Sequence, residues 1–228
     1  SDIFSFHVYD DTQYGTWFDY AVGYHKNITK ESGGFLKNYI TEYGLPTNDQ
    51  YSEEEQARRI VRLSTILDIQ DVDGGCLYTL RNKDSAGDKY GIINNDNTPK
   101  LAYYSLKNYL ENTNGAEYIG EIKLNDGLKS YVYDKDGSPK IITWVERTDD
   151  PVEIDYTDFV ATDLYGNNIE NTDGKLEITL SPIYIDNVST NYFYQAISNT
   201  AIEKYSELEA DYLAEISSVE GLQEKIDE

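Results

Sequence analysis

The sequence predicts an α/β region followed by an all-β region and a final helix, and two patterns support this prediction. In the first half, short β-branched and aromatic segments alternate with helical ones, which is typical of a parallel sheet or barrel. In the second half, short apolar segments alternate with Gly, Asn and Asp turns, which is typical of an antiparallel sandwich. The predicted units are residues 1–112, a β-sandwich over 116–190 and an acidic C-terminal helix over 199–228.

The composition narrows the classes of partner and cofactor. The 228 residues carry a net charge of −23, which argues against nucleic acid or an anionic membrane as a partner. A neutral ligand such as a sugar fits this charge, and no apolar run is long enough for a membrane span. The single Cys76 excludes an internal disulfide, and two histidines leave little for zinc, so we expect no metal and no cofactor.

The first predicted strand, residues 3–9, carries two polar side chains of interest. His7 and Tyr9 differ by two positions, so both point to the same face of the strand. Asp10 opens the turn that follows, before a predicted helix over 13–31.

The second predicted strand, residues 35–43, ends in a carboxylate. β-branched and aromatic residues form the strand, and Gly44 and Pro46 stop it just after Glu42. In a parallel α/β architecture the C-terminal strand ends form the ligand face, so Glu42 is the first candidate for chemistry. On this stretch alone, a surface glutamate in a loop is the simpler interpretation.

Two helices and one strand complete the α/β region. A capping box that begins at Ser52 predicts a helix over 53–68. A glycine pair precedes a third strand over 76–80, and Pro99 at the N1 position starts a helix over 100–110. Three parallel strands leave two unpaired edges. The chain also opens directly on a strand and contains no Met, so we expect it to be a piece of a longer polypeptide.

The all-β region consists of short predicted strands separated by turn signals. They cover 117–123, 130–133, 141–146, 152–156, 159–163, 175–180 and 182–185. The final helix places apolar side chains on one stripe, so it can dock on the sandwich, pair as a coiled coil or lead to a further domain.

Several segments agree in order and spacing with one known family. They are Phe6-His7-Val8-Tyr9, Ile40-Thr41-Glu42-Tyr43-Gly44, Glu55-Gln56-Ala57-Arg58, 77–82 and 90–103. Together they resemble the last third of a clan A glycoside hydrolase, a (β/α)8 barrel enzyme close to families 5 and 39. On this resemblance the predicted strands are the sixth, seventh and eighth of the barrel. Residues 116–190 are similar to the small β-sandwich domain that often follows such barrels.

The resemblance implies roles for three residues. Glu42 corresponds to the nucleophile of a retaining glycosidase, and Tyr9 to the tyrosine that orients it. His7 corresponds to a residue beside the nucleophile that faces the sugar. The clan's acid/base lies on the fourth barrel strand, which this chain lacks, so the resemblance implies an N-terminal barrel portion on the same or a separate chain. It also implies an oligo- or polysaccharide substrate and, for a single carboxylate, no hydrolysis by this chain alone.

The sequence departs from the family at one position. The family often carries Trp near the end of the eighth strand as a platform for the sugar, and here Leu77 stands in that place, followed by Tyr78. Either Tyr78 supplies the stacking or the platform has been lost. Trp17 can lend a ring and Asp10 can bind hydroxyl groups, although core packing and solvation are the simpler interpretations.

Three functional hypotheses follow. The first is a portion of a retaining glycoside hydrolase that cleaves an extracellular glycan. The second is a non-catalytic carbohydrate-binding or cell-surface structural protein with a degenerate barrel, and it is supported by the departure at Leu77. The third and weaker hypothesis is that residues 116–190 form an independent glycan-binding module. Two N-glycosylation sequons, at Asn27 and Asn187, together with the low cysteine count, are compatible with an extracellular or cell-surface location.

Overall fold

The structure is a computed structural model that describes residues 3–9, 16–31, 37–83, 87, 89–155, 159–170 and 174–227. Its helices and strands, in chain order, are β1 (Ile3–His7), α1 (Thr16–Glu31), β2 (Lys37–Tyr43), α2 (Glu53–Ile69), β3 (Gly74–Leu77), α3 (Leu101–Thr113), β4 (Glu117–Glu121), β5 (Leu128–Lys135), β6 (Ser138–Val145), β7 (Val152–Asp155), β8 (Val160–Thr162), β9 (Lys175–Ile178), β10 (Ile183–Asp186) and α4 (Thr190–Asp227).

The first three strands form a parallel sheet in the order β1-β2-β3. A register shift after Phe6 brings His7 opposite Glu42 at the C-terminal end of the sheet. Apolar side chains of α1 and α2, such as Phe18 and Leu63, pack with Ile40 of the sheet in one core. The alternation of strands and helices therefore produces the parallel sheet that the sequence predicts.

Helix α2 is buried on two sides. Its N-cap is Ser52, whose hydroxyl accepts a hydrogen bond from the Glu55 amide at 3.2 Å. Every residue of the inner stripe expected from the sequence is buried, namely Ala57, Ile60, Val61, Ser64 and Leu67. Leu67 packs toward the parallel sheet, while Ala57, Ile60 and Val61 pack toward the antiparallel region, which fixes the two regions against each other.

The second half of the chain forms two antiparallel sheets. One contains five strands in the order β4-β5-β6-β10-β8, and the other pairs β7 with β9. One face of the larger sheet shares an aliphatic core with β9, to which Val132, Ile141 and Ile178 contribute. Its opposite face is rich in aromatic side chains and packs on α2 and α3.

The boundaries of three elements differ from the sequence-based expectation. β3 ends at Leu77, earlier than expected, and the backbone then turns toward Tyr90. Lys100 rather than Pro99 precedes α3 as its N-cap, because Pro99 pairs with Ile93 in an isolated bridge. α4 begins at Thr190 instead of residue 199, because its first turns dock on β4.

The docking of α4 depends on a close approach of two backbones. Ala196 is fully buried, and its carbonyl lies where a Cβ on Gly120 would otherwise sit. The Thr200 hydroxyl donates to the Ile119 carbonyl at 2.9 Å, and the Asn199 amide donates to the Glu121 carbonyl at 2.9 Å. Farther along, the predicted apolar stripe is exposed at Ile202, Tyr205, Leu208, Tyr212 and Ile216.

Among the described residues, no helix is both long and apolar enough to cross a membrane. In the same part of the chain, no group of three or more His, Cys, Asp and Glu side chains is arranged to hold a metal ion.

Candidate active site

Glu42 lies where the parallel strands β1 and β2 end side by side. Its backbone carbonyl accepts a hydrogen bond from the Val8 amide at 3.2 Å, which continues the ladder past the end of β1. Val8 is buried, and its neighbours His7 and Tyr9 point away from the core. The alternation of the strand therefore directs both side chains to the surface on which Glu42 stands.

His7 and Tyr9 both contact one oxygen of the Glu42 carboxylate. The Tyr9 hydroxyl donates a hydrogen bond to Oε2 at 2.6 Å, and Nδ1 of His7 lies 3.4 Å from the same atom. The side chain of Glu42 is 36% exposed, so a ligand can reach it. The structure thus brings together three residues that the sequence placed on two different strands.

The electrostatics of this group keep Tyr9 protonated. Its partial burial, together with the hydrogen bond to Glu42 and the carboxylate charge, raises the pKa of the Tyr9 hydroxyl well above its usual range. Tyr9 is therefore a hydrogen-bond donor at any physiological pH. A donor of this kind stabilises the ionised carboxylate and fixes its orientation.

Tyr78 lies on the same side of the sheet, beyond β3. Its amide donates to the Tyr43 carbonyl at 2.8 Å, so the backbone of residue 78 runs beside the end of β2. Gly44 makes this approach possible, because a Cβ at that position would overlap the Tyr78 carbonyl oxygen. Leu77, by contrast, is partly buried and packs against the core of the parallel sheet and against the core that α2 and α3 share with the antiparallel sheet. Of the two residues considered for a sugar platform, Tyr78 is the one on the site's surface.

A row of three aromatic rings extends from Glu42. The Tyr90 ring contacts Tyr9 edge-on with centroids 5.8 Å apart, and it contacts Tyr78 edge-on at 5.4 Å. The Lys83 ammonium donates to the Tyr78 hydroxyl at 2.6 Å. This hydrogen bond, followed by the charges of Tyr78 and Glu42, raises the pKa of Lys83.

Of the other two sequence candidates, Trp17 is not part of this group. Trp17 is 53% exposed on α1, and its ring packs on Tyr20 at 5.6 Å. Asp10 lies outside the residues that the structure describes. The roles of all six sequence candidates in binding or catalysis remain predictions.

Sequence reasoning missed two residues of the site, Tyr90 and Lys83. Tyr90 opens one of the segments that carry the family resemblance, but no periodicity marks its ring as a neighbour of Tyr9. Lys83 stands in a polar loop where a lysine is ordinary. Only the return of the chain after β3 brings both residues beside Glu42.

Comparison with known proteins gave matches among solved structures only. No family model matched the sequence, and neither did any curated protein. A family 39 glycoside hydrolase from Bacteroides cellulosilyticus WH2 is similar at 18% identity and a TM-score of 0.62, covering 73% of this chain and 38% of that one. The fold of this chain is similar to part of a glycoside hydrolase.

Two further structures extend this finding to other glycoside hydrolase families. A family 86 β-porphyranase from Bacteroides plebeius matches at 14% identity and a TM-score of 0.52, over 82% of this chain and 42% of that one. A family 30 endoxylanase from Clostridium papyrosolvens C71 matches at 12% identity and a TM-score of 0.50, over 82% and 49%. The predicted resemblance to clan A glycoside hydrolases is confirmed for the fold, and the chain spans less than half the length of each of these three enzymes.

Proposed function

We propose that this chain is a portion of a retaining glycoside hydrolase in which Glu42 is the catalytic nucleophile. One observation carries the proposal: the Tyr9 hydroxyl donates to the exposed Glu42 carboxylate at 2.6 Å where two parallel strands end. A nucleophilic carboxylate must be accessible and held in one orientation; this contact orients Glu42, and its side chain remains 36% exposed.

The geometry suggests how the reaction proceeds. Tyr9 and His7 both contact Oε2 of Glu42, so Oε1 is the oxygen that attacks the anomeric carbon. The leaving group departs with a proton from a second carboxyl group, which lies about 5–5.5 Å away in retaining enzymes. Water then attacks the glycosyl–enzyme ester, that second carboxylate takes the water's proton, and Glu42 is released. Tyr78 provides a stacking surface for the sugar, and Lys83 donates a hydrogen bond to the Tyr78 hydroxyl.

We assign the second carboxyl group to a further barrel portion, on the same or a separate polypeptide. In the described part of the chain, the outer edges of β1 and β3 pair with no other strand. Beside β1, helix α1 exposes Trp17, Tyr20 and Tyr24. Additional β/α units would pair with both edges and complete a (β/α)8 barrel.

The proposed reaction and the net charge suggest a substrate class and a location for this enzyme. Its substrate is an oligo- or polysaccharide, and a net charge of −23 suits a neutral glycan. We propose an extracellular or cell-surface location, where such glycans are degraded. The antiparallel region serves as a sandwich domain that supports the barrel through the core it shares with α2 and α3.

Trapping of the glycosyl–enzyme tests the proposal. The natural protein is incubated with several 2-deoxy-2-fluoroglycosyl fluorides, whose fluoride leaves without acid assistance, and is then mapped by peptide mass spectrometry. We expect one adduct on the peptide that contains Glu42, lost in Glu42→Gln and kept in Glu121→Gln, a glutamate of similar exposure. An adduct that persists in Glu42→Gln would overturn the assignment. If every sugar fails to react while glycans still bind, the non-catalytic carbohydrate-binding protein becomes the better account.

A further inference from the structure

A buried lysine joins the loops around the candidate site. The side chain of Lys100, just before α3, is only 2% exposed. Its ammonium donates to the Thr47 hydroxyl at 2.9 Å and to the Lys89 carbonyl at 3.2 Å. Thr47 belongs to the loop after β2, which follows Glu42, and Lys89 belongs to the segment that leads to Tyr90.

The same two loops are also connected by backbone contacts. Thr47 and Lys89 form an antiparallel bridge, with hydrogen bonds of 3.0 Å and 3.3 Å between their backbones. The buried Gln56 side chain of α2 donates to the Leu45 carbonyl at 2.7 Å and to the Tyr90 carbonyl at 3.3 Å. The position of residues 89–90 is therefore set by a small buried network that centres on the Lys89 carbonyl.

This network ends at the aromatic row of the site. Tyr90 directly follows Lys89, and its ring contacts both Tyr9 and Tyr78. A shift of the 89–90 segment must move the Tyr90 ring, and with it the ring whose hydroxyl holds Glu42.

The charge of Lys100 is costly in this position. Burial lowers the pKa of Lys100 to about 8, although the Glu53 carboxylate on α2 favours the charged form. Lys89 in the facing loop disfavours it. Because the folded-state pKa lies below the unfolded one, the charge destabilises the fold below about pH 8, and this effect is relieved as the pH rises toward the unfolded value. An apolar side chain would avoid the cost, so the lysine serves something other than stability.

We propose that Lys100 is a positioning residue for the Glu42 site, acting through the Lys89 carbonyl and the Tyr90 ring on Tyr9 and Tyr78. The inference rests on the proposed function for the role given to Glu42. Charge-assisted hydrogen bonds are stronger than neutral ones, so the ammonium fixes the 89–90 segment more firmly than a neutral amine does. The site therefore loosens as the pH rises through the range in which Lys100 loses its proton.

The experiment follows the tyrosine rings directly. The 228-residue chain is labelled with ring-¹³C tyrosine, and its aromatic ¹H–¹³C spectra are recorded from about pH 6 to about pH 9, where an ordinary tyrosine with a pKa of about 10 stays mostly protonated. Tyr9→Phe, Tyr78→Phe and Tyr90→Phe assign the three resonances. Lys100→Met removes the ammonium at similar length, and Lys107→Met, an exposed lysine on the adjoining α3, is the matched control.

We expect the Tyr90 and Tyr9 resonances to shift with a common midpoint near the pKa of about 8 given to Lys100. In Lys100→Met this midpoint disappears and both resonances are displaced at every pH, whereas Lys107→Met behaves as the unaltered chain. If Lys100→Met does not fold, Thr47→Val, which removes one acceptor of the ammonium, is expected to move the midpoint to lower pH. A midpoint that survives in Lys100→Met, or one that Thr47→Val leaves unmoved, would overturn the proposal. These spectra need no turnover, so a failure of Glu42 to form an adduct and a failure of this proposal are separate results.

Discussion

The two halves of the molecule differ in how completely their β-sheets are covered by other elements. The larger antiparallel sheet is covered on one face by an aliphatic core shared with β9 and on the other by α2 and α3. Among the described residues, the parallel sheet has three strands, and its candidate site lies on an exposed surface at the ends of β1 and β2. The region with the larger buried core is thus not the region that contains the candidate site.

This difference has a physical reason. An antiparallel sheet closes its hydrogen bonds through short hairpins within a few residues, whereas a parallel sheet depends on β/α units that follow one another over a long stretch. A piece of the chain can therefore complete the first kind of sheet while leaving the second kind open. The predictions below test how far this contrast holds, starting from the largest expected effect.

The core shared by the two halves should dominate stability. Trp144 is 2% exposed, contacts the Tyr131 ring and lies under the Arg62 guanidinium of α2 at 5.7 Å. We expect Trp144→Ala to lower the free energy of unfolding by about 3–5 kcal/mol, measured by urea denaturation. Tyr104→Ala, at an exposed ring of α3, should change it by less than about 0.5 kcal/mol. Similar small losses in both variants would mean that the two halves are not joined through this core.

The Tyr9 hydroxyl should matter for activity and little for stability. Hydrogen bonds to charged groups contribute about 1.5–3 kcal/mol, so Tyr9→Phe in the natural protein should lower kcat/KM by about 10- to 100-fold. Because Tyr9 is exposed, the urea midpoint should stay unchanged. Tyr20→Phe, at an exposed tyrosine of α1, is the control. Equal activity of Tyr9→Phe and the unaltered protein would remove Tyr9 from the site.

Loss of the proposed Tyr78 platform should weaken the binding of the sugar substrate. Tyr78→Ala removes the ring beside Tyr90, and we expect KM to rise by about 2- to 10-fold with a smaller change in kcat. Tyr78→Phe keeps the ring but loses the hydrogen bond from Lys83, so its KM should lie between that of the unaltered protein and that of Tyr78→Ala. An unchanged KM in Tyr78→Ala would contradict the role of Tyr78 as a platform for the sugar.

The Asp68 carboxyl, which the Tyr109 hydroxyl contacts at the junction of the halves, should make stability depend on pH. Partial desolvation raises the pKa of Asp68, although the bond from the Tyr109 hydroxyl opposes this shift. The charged form is therefore disfavoured in the fold, and stability falls as the pH rises through the unfolded pKa toward the folded one. In urea denaturation, Asp68→Asn should be more stable than the unaltered chain at neutral pH and no different at about pH 3. An advantage at the acidic end instead would reverse the sign of this argument.

Much of the α/β region could be predicted from the sequence, because its signals are local. The burial of Ile60 and Val61 follows from helical periodicity, and the shared face of His7 and Tyr9 follows from strand alternation. The expected contact between Tyr9 and Glu42 came from the family resemblance, since no local pattern relates residues on different strands.

Other features could not be predicted, because they depend on distant parts of the chain. α4 starts at Thr190, before the predicted residue 199, because Ala196 packs closely against Gly120 on β4. Tyr90 lies in the site because the loop after β3 returns to pair with Thr47. The Lys100 ammonium donates a hydrogen bond to the Thr47 hydroxyl at this point. Contacts of this kind leave no periodic trace in the sequence.

Chemical rescue with azide tests the role of Glu42 most directly. The Glu42→Gly variant of the natural protein is given an activated aryl glycoside with and without sodium azide, and the anomeric configuration of the product is read by ¹H NMR. A lost nucleophile leaves room for azide to attack the anomeric carbon directly, so we predict a glycosyl azide of configuration opposite to the substrate. A product of the substrate's own configuration would assign Glu42 to the acid/base position, and an unimpaired variant without azide would contradict any catalytic role.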